Sequence, residues 1–348
     1  VSFGPTIVYD AERCIICTRC VRFSEEVAQD PVLSVRERGN LNEITVSPGR
    51  ELDHDYTLMT EHVCPVGALT SKDFRFKARV WFLRSARTIC QGCSTGCNAY
   101  LDFDPRTNTP HRHRPRDNEQ VNKYWMCDEG MLSYKAAVEG RLLEATSGGK
   151  PVSIESALEA AKKLLAGLEA KKERVAFVLS AQHSLEDNWA LLTLAKAYCG
   201  STAFFLTGKP LGRGDEILMA PDKNPNTRGV VELAGKDAPK PLAELVKKID
   251  DFDYVIALGA DSELSTEDLA PLKSKKVVVV SAHEGALTKV ASVALPACSW
   301  AEVESTFVNR DGRVQVSERA LAARGDAQPG WMLVGKLGRA LGYATAWK

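Results

Sequence analysis

AERCIICTRCVRF, residues 11 to 23, and HVCPVGALT, residues 62 to 70, decide how the first part of this chain folds. The first stretch supplies Cys14, Cys17 and Cys20 from one turn of irregular backbone, and the second supplies Cys64, followed at once by Pro65. Three near thiolates and one distant one is the ligand pattern of a cubane [4Fe-4S] cluster, in which each thiolate binds a different iron corner. The spacing therefore predicts one such cluster on Cys14, Cys17, Cys20 and Cys64.

C-x2-C-x2-C also opens the bacterial ferredoxin motif, where three residues later a fourth cysteine followed by proline ligates a second cluster. Here position 24 is Ser, and the Cys-Pro pair appears instead at 64 and 65. We therefore expect an α+β ferredoxin-like module over residues 1–82 that keeps one cluster and the one distant residue that reaches back to it. Pro65 suits such a turn, because its fixed φ and missing N–H aim the sulfur without a competing donor. Ile15, Ile16, Val21 and Phe23 are expected to form an apolar jacket that tunes the cluster by excluding water. Structural zinc is the alternative, but zinc sites usually take two ligands from each of two knuckles.

TICQGCSTGCNAY, residues 88 to 100, gives a second trio, Cys90, Cys93 and Cys97, with Cys127 thirty residues further on. The same argument predicts a second [4Fe-4S] cluster on these four, in a small β-rich domain over residues 83–140. Gly92 and Gly96 permit the tight backbone that brings three sulfurs round one face. The alternating stretch YLDFD, a turn at DPRTNTP and then HRHRPR read as a β-hairpin that carries the chain back towards the trio. His111 and His113 alternate with arginines, and the simplest expectation is a solvated basic strand near a negatively charged cluster. Cys199 and Cys298 stand alone and are expected to be buried small hydrophobes.

Composition fits this reading. The chain has 348 residues, 44% of them hydrophobic, so about two domains with proper cores are expected. Lys plus Arg and Asp plus Glu are equal at 45 each, so no overall basic field points to nucleic acid. No apolar run approaches the roughly 18 residues needed to cross a bilayer, so any membrane association is expected to come through partner subunits. Ten cysteines in a chain this long, with no export signal at its start, point to reduced thiols rather than a disulfide scaffold.

From about residue 150 the pattern changes. Helical periodicity in ESALEAAKKLLAGLEA, SLEDNWALLTLAKAYCG, PLAELVKKI and TEDLAPL alternates with strand patterns in RVAFVLS, TAFFL, DYVIALGA and KVVVVSA. Such alternation argues for an α/β domain, residues 141–348, built on a parallel sheet with helices on both faces. Asn309 to Gly312 read as a tight hairpin turn. Gly208, Gly212 and Gly214 lie in a loop without the strand-to-helix context of a phosphate site, and the single glycine of ALGADSE is a weak phosphate signal. No residue stands out as an acid, base, nucleophile or molybdenum ligand, so this half is expected to be a scaffold.

ERCIICTRCVRF, HVCPVGALTSKDFRFKARVW, CQGCSTGC and YWMCDEG occur in order, and together they resemble the large iron-sulfur subunit of bacterial NADH-quinone oxidoreductase, respiratory complex I. The closing stretch ALPACSWAEVESTFVNRDGRVQVSERA resembles the end of that subunit's molybdopterin-oxidoreductase-like domain. The resemblance implies an electron-transfer subunit of a proton-translocating complex, with the cluster at Cys14, Cys17, Cys20 and Cys64 in the wire from flavin towards quinone. It implies that the cluster at Cys90, Cys93, Cys97 and Cys127 lies off the main path. The implied partners are the flavin- and NADH-binding subunit and the quinone-side iron-sulfur subunits, on the cytoplasmic side of the bacterial inner membrane. The family also carries an upstream [2Fe-2S] domain that is not in this sequence, so the start, Val-Ser-Phe rather than Met, is expected to be a cut or processed end.

Two alternatives share parts of these motifs. Molybdopterin enzymes of the formate dehydrogenase type resemble the second motif, but they carry Cys-x-Lys-Gly where this chain has Cys127-Asp128-Glu129-Gly130. A carboxylate cannot donate the hydrogen bonds an ammonium gives to pterin, so no molybdopterin is expected. Diaphorase or hydrogenase relay subunits share the first motif and generally lack the long α/β half.

Overall fold

A computed structural model describes residues 1–37, 39–260 and 263–343. The chain divides into two units, one made of Val1–Cys90, Cys97–Lys135 and Arg213–Ala220, the other of Gln91–Gly96, Ala136–Gly212 and Pro221–Lys348.

In the first unit, Ile7–Tyr9 pairs antiparallel with Leu69–Ser71, and Leu33–Arg36 with Glu43–Val46. Two short helices, Arg19–Arg22 and Met59–Val63, carry Cys20 and lead into Cys64. Their apolar faces bury Phe23, Ile44, Leu52, Met59 and Leu69 in one core, and each such side chain contributes about 1.5–3 kcal/mol of hydrophobic stabilisation. A three-stranded antiparallel sheet follows, Arg84–Ile89, Asn98–Asp104 and Thr109–Pro115, so the hairpin expected after Cys97 is present. Cys90, Cys97, Met126 and Cys127 belong to the same core as the ferredoxin-like elements, as do Leu218 and Met219. Those last two arrive on a segment held by Asp215, whose carboxylate accepts from the N–H groups of Ile217, Leu218 and Met219 and from the Tyr56 hydroxyl at 2.6 Å. The glycine-rich loop ahead of it opens no helix.

The strand Thr109–Pro115 is not the solvated basic strand that its composition suggested. His113 is 1% exposed. Arg112 and Arg114 both turn to Asp102 on the neighbouring strand, at 2.6 and 2.7 Å. The period of two places the arginines on one face with their counter-ion and the histidines on the other.

The second unit is built on an eight-stranded sheet. Six strands run parallel, in the order Lys240–Pro241, Phe204–Thr207, Val175–Ser180, Tyr254–Leu258, Lys276–Ser281 and Val293–Pro296. The antiparallel hairpin of Ala145–Ser147 and Lys150–Val152 completes one edge, so the sheet is mixed rather than purely parallel, as is common in large sheets. Val175, Phe177 and Leu179 pack into one core with the helices Ile154–Leu164, Leu185–Thr193, Thr227–Ala234 and Gly330–Ala340. Ala176 and Val178 face the other core, with the helix Leu242–Lys247. TEDLAPL forms turns and a single tight turn at Ala270–Ser274 instead of an α-helix, because Pro271 removes a donor and clashes with the preceding turn. Ser305–Val308 and Val314–Ser317 pair across the expected turn, where Gly312 takes a φ of 81°.

Candidate metal centres

Cys14, Cys17, Cys20 and Cys64 line a single cavity, together with Tyr9 and Leu69. The loop that presents the trio is strained. Ile16 and Thr18, on either side of Cys17, have φ of 51° and 58°, a region that costs a β-branched residue on the order of 1–3 kcal/mol. This winding turns the thiols to one side and directs the Ile16 N–H at the Cys14 sulfur, 3.4 Å away. Cys64 arrives differently. The residue before a proline is pushed out of the helical region, so the helix ends at Val63 and Cys64 extends with a ψ of 112°.

The electrostatics of this cavity ask for a cation. Burial above all, with the proximity of Cys14, Cys64 and Cys17 behind it, raises the Cys20 thiol to about 11. Four thiolates cannot share one apolar cavity without positive charge between them. The Tyr9 hydroxyl is buried and lies against Cys14, where burial and that sulfur hold its pKa up. Among the described residues no group of three or more His, Cys, Asp or Glu side chains is placed to hold a single metal ion. Ile15, expected in the apolar jacket, is 62% exposed and only rims the cavity; Ile44, Ala68 and Leu69 line it instead.

Cys90, Cys93, Cys97 and Cys127 are all buried. The Cys90 N–H donates to the Cys97 carbonyl at 2.8 Å, closing a loop that carries Cys93, and Gly96 makes the turn with a φ of 61°. Cys127 begins the helix Asp128–Leu132, and its sulfur accepts from the Gly130 N–H at 3.3 Å. A Cβ on Gly130 would stand 3.1 Å from the Cys90 sulfur and 3.4 Å from that of Cys127, so the two thiols meet over a position that has no room for a side chain. The Asn122 side chain fixes the approach of Cys127, accepting from the Asn98 N–H and donating to the carbonyls of Arg116 and Trp125. Asp128 bonds the Thr57 hydroxyl and the Leu58 N–H, and burial raises its carboxyl to about 6. Glu129 is exposed.

Beside this set sits a buried polar chain. His113 Nε2 is 2.8 Å from the Thr88 hydroxyl, and Nδ1 is 3.3 Å from both the Gly130 carbonyl and the Ser133 hydroxyl. Ser133 Oγ lies 4.0 Å from the Cys90 sulfur. Burial lowers the His113 pKa to about 4, so the ring is neutral near pH 7. Tyr9, Asn122 and Ser133 carried no signal in the sequence, whereas Gly130 closes the Cys127-Asp128-Glu129-Gly130 motif. His113 carried one too, since alternation separates it from the arginines.

In the second unit, a cavity of about 250 Å³ lies at the carboxyl ends of the strands ending at Ser180, Leu258 and Ser281, lined by Gln182, His183, Gly259 and Cys298 among others. This is where the strand order reverses, the usual crevice of open α/β sheets. Asp187 accepts from the Trp331 N–H at 2.7 Å and lies 2.8 Å from His183 Nδ1. Cys298, read from sequence as a buried hydrophobe, is a wall of this cavity, and burial followed by the charge of Glu302 pushes its thiol up to about 12. In the ALGADSE loop, Asp261 and Ser262 lie outside the described residues.

Residues 4–70 match the ferredoxin-like domain of NADH-quinone oxidoreductase subunit 3, and residues 224–340 match the molybdopterin oxidoreductase family. Subunit 3 of the NADH-quinone oxidoreductase of Thermus thermophilus is 37% identical over 206 residues, covering 56% of this chain and 25% of its own length. An NADH-quinone oxidoreductase subunit of Streptomyces coelicolor is 30% identical over 236 residues, covering 62% of this chain and 27% of its own. The chain thus spans about a quarter of the length of the curated relatives it matches. Among solved structures, acetylene hydratase from Pelobacter acetylenicus covers 74% of this chain and 69% of its own at a TM-score of 0.46 and 9% identity. The chain is a relative of these NADH-quinone oxidoreductase subunits, joining their ferredoxin-like domain to a molybdopterin oxidoreductase domain.

Proposed function

We propose that this chain is an electron-transfer piece of an NADH:quinone oxidoreductase, holding one [4Fe-4S] cluster on Cys14, Cys17, Cys20 and Cys64 and a second on Cys90, Cys93, Cys97 and Cys127. The observation that carries the reading is the cavity ringed by the first four thiols inside a ferredoxin-like domain. The clusters supply one-electron redox chemistry when bound. The protein supplies position, burial and N–H donors, with Ile16 N–H at Cys14 and Gly130 N–H at Cys127. Residues 1–82 and 83–140 hold the clusters in this reading, and 141–348 serve as scaffold. Anaerobic purification with iron and acid-labile sulfide counts tests it: about eight iron per chain is expected from two cubanes, and two zinc with no sulfide would overturn it.

The partners in this reading are other subunits of the complex, on the cytoplasmic face of the bacterial inner membrane. Among the described residues no helix is long and apolar enough to cross a membrane, so attachment runs through those partners. Phe76, Val80, Trp81 and Phe82 support a docking role for the segment that follows Asp73, since Phe76 is 91% and Trp81 74% exposed. Arg75, Arg79 and Arg106 lie over their rings, and exposed aromatics with arginines are the usual anchors of protein interfaces. Replacing Trp81 and Phe82 together by alanine is expected to lower incorporation into the complex several-fold while the iron content of the isolated chain stays constant, as gel filtration with iron analysis reads out. Full incorporation would remove this segment from the interface.

A molybdopterin enzyme remains the second reading, favoured by the cavity of the second unit and Cys298 in its wall. The exposed Glu129 in place of a lysine speaks against it. Stoichiometric molybdenum or tungsten in the purified protein would reverse the choice.

A further inference from the structure

A hydroxyl carries a single proton, and Ser133 has three places to send it: the Gly130 carbonyl at 2.7 Å, the Cys90 sulfur at 4.0 Å and, when that nitrogen is unprotonated, His113 Nδ1 at 3.3 Å. A free Cys90 thiol can donate to Ser133 Oγ, but a thiolate bound to iron only accepts. Once Cys90 is a ligand, any hydrogen bond between the two must use the serine proton, and Gly130 competes for it. His113 decides that competition. Its Nε2 stands 2.8 Å from Thr88 Oγ1, closer than the 3.4 Å between that hydroxyl and the Ala99 carbonyl. This favours Thr88 donating to Nε2 and leaves the ring proton on Nδ1, a tautomer assigned from geometry. From Nδ1 the proton reaches the Gly130 carbonyl at 3.3 Å, gives that carbonyl a second donor, weakens its hold on the serine proton and makes it easier for Ser133 to turn to sulfur. With the other tautomer, Nδ1 would accept from Ser133 and hold its proton away from Cys90.

We propose that Ser133 is the hydrogen-bond donor that sets the reduction potential of the cluster at Cys90, and that His113 is the positioning residue that frees this donor. The inference rests on the reading that Cys90, Cys93, Cys97 and Cys127 hold a cluster. Hydrogen bonds to ligand sulfur stabilise the reduced, more negative cluster and raise its potential.

EPR-monitored redox titration of the intact protein tests this. Ser133→Ala is expected to shift the midpoint of the second cluster to a more negative value while the first cluster keeps its own, and Ser133→Thr, which retains the hydroxyl, is expected to restore it. His113→Asn, whose amide can stand in for Nδ1–H, keeps the unaltered midpoint, and His113→Phe shifts it as Ser133→Ala does. If Ser133→Ala loses the cluster, the two His113 variants decide: equal midpoints in both overturn the relay. An unshifted second-cluster signal in Ser133→Ala also overturns the relay but leaves the cluster assignment standing. No second signal in the unaltered protein, with iron near four per chain, overturns the assignment and the relay together.

Discussion

Cys64→Ala is expected to abolish electron flow through the assembled complex and to remove about four iron per chain, the content of one cubane. Cys14, Cys17 and Cys20 come from one strained loop, whereas Cys64 is the single ligand delivered from elsewhere, turned out of its helix by Pro65. Without it one iron corner loses its thiolate, and the left-handed Ile16 and Thr18 lose the bonds that would offset their strain. Cys127→Ala makes the informative contrast. Cys127 sits in the shared core with Cys90, Cys97 and Met126, so its loss is expected mainly to lower stability, with electron flow retained in molecules that assemble. The measurement is NADH-driven quinone reduction by the reconstituted complex, with iron content and assembly determined on the same samples. Equal loss of flow in both variants, with assembly intact, would contradict the placing of the second cluster off the main path.

The largest stability effect is expected at Glu302. Arg141 and Glu302 form a bidentate pair, at 2.7 and 2.8 Å, with side chains 2% and 0% exposed. Every part of the guanidinium is used: Nε donates to the Ala282 carbonyl, Nη1 to Ala137 and Nη2 to Ala297. The Ser299 N–H donates to the carboxylate in turn. Arg141 therefore ties the chain near residue 137 to the ends of two sheet strands, and Glu302→Ala would leave its charge buried and unpaired. That costs on the order of 3–5 kcal/mol, a large share of the 5–15 kcal/mol by which a typical domain is stable. Chemical denaturation should show it. Replacing both partners by apolar residues of similar volume, Arg141→Met with Glu302→Leu, is expected to cost less than Glu302→Ala alone, because no charge is then stranded. A loss below about 1 kcal/mol for Glu302→Ala, the range of exposed pairs, would show that water reaches the site.

Arg141 and Glu302 drew no notice as a pair, for they lie 161 positions apart, and nothing in the stretch ALPACSWAEVESTFVNRDGRVQVSERA that holds Glu302 points to Arg141. Asn122 is similar: one asparagine in a loop looks like turn chemistry until its side chain is seen to hold the approach of Cys127. Cysteine spacing, by contrast, marks both proposed ligand sets before any folding, because a multinuclear site needs several thiolates at short separation and covalent spacing can promise that. Periodicity likewise locates Val175–Ser180, Tyr254–Leu258 and Lys276–Ser281 closely, since strands buried on both faces must be apolar throughout.

What the sequence determined by itself is therefore which residues are offered: eight cysteines in two sets, a proline that aims Cys64, and a run of strand and helix patterns that demands a layered sheet. Tertiary structure alone decided which way those residues face. It turned Ile15 outward and Tyr9 inward, sent His113 into the core while its arginine neighbours went to Asp102, and placed Cys298 in a cavity wall. It also added the antiparallel hairpin of Ala145–Ser147 and Lys150–Val152 to a sheet whose pattern spoke only for parallel strands. The physical reason is one of range. Spacing and periodicity are properties of neighbours along the chain, whereas burial, hydrogen-bond partners and counter-ions are supplied by segments that meet only once the chain has folded.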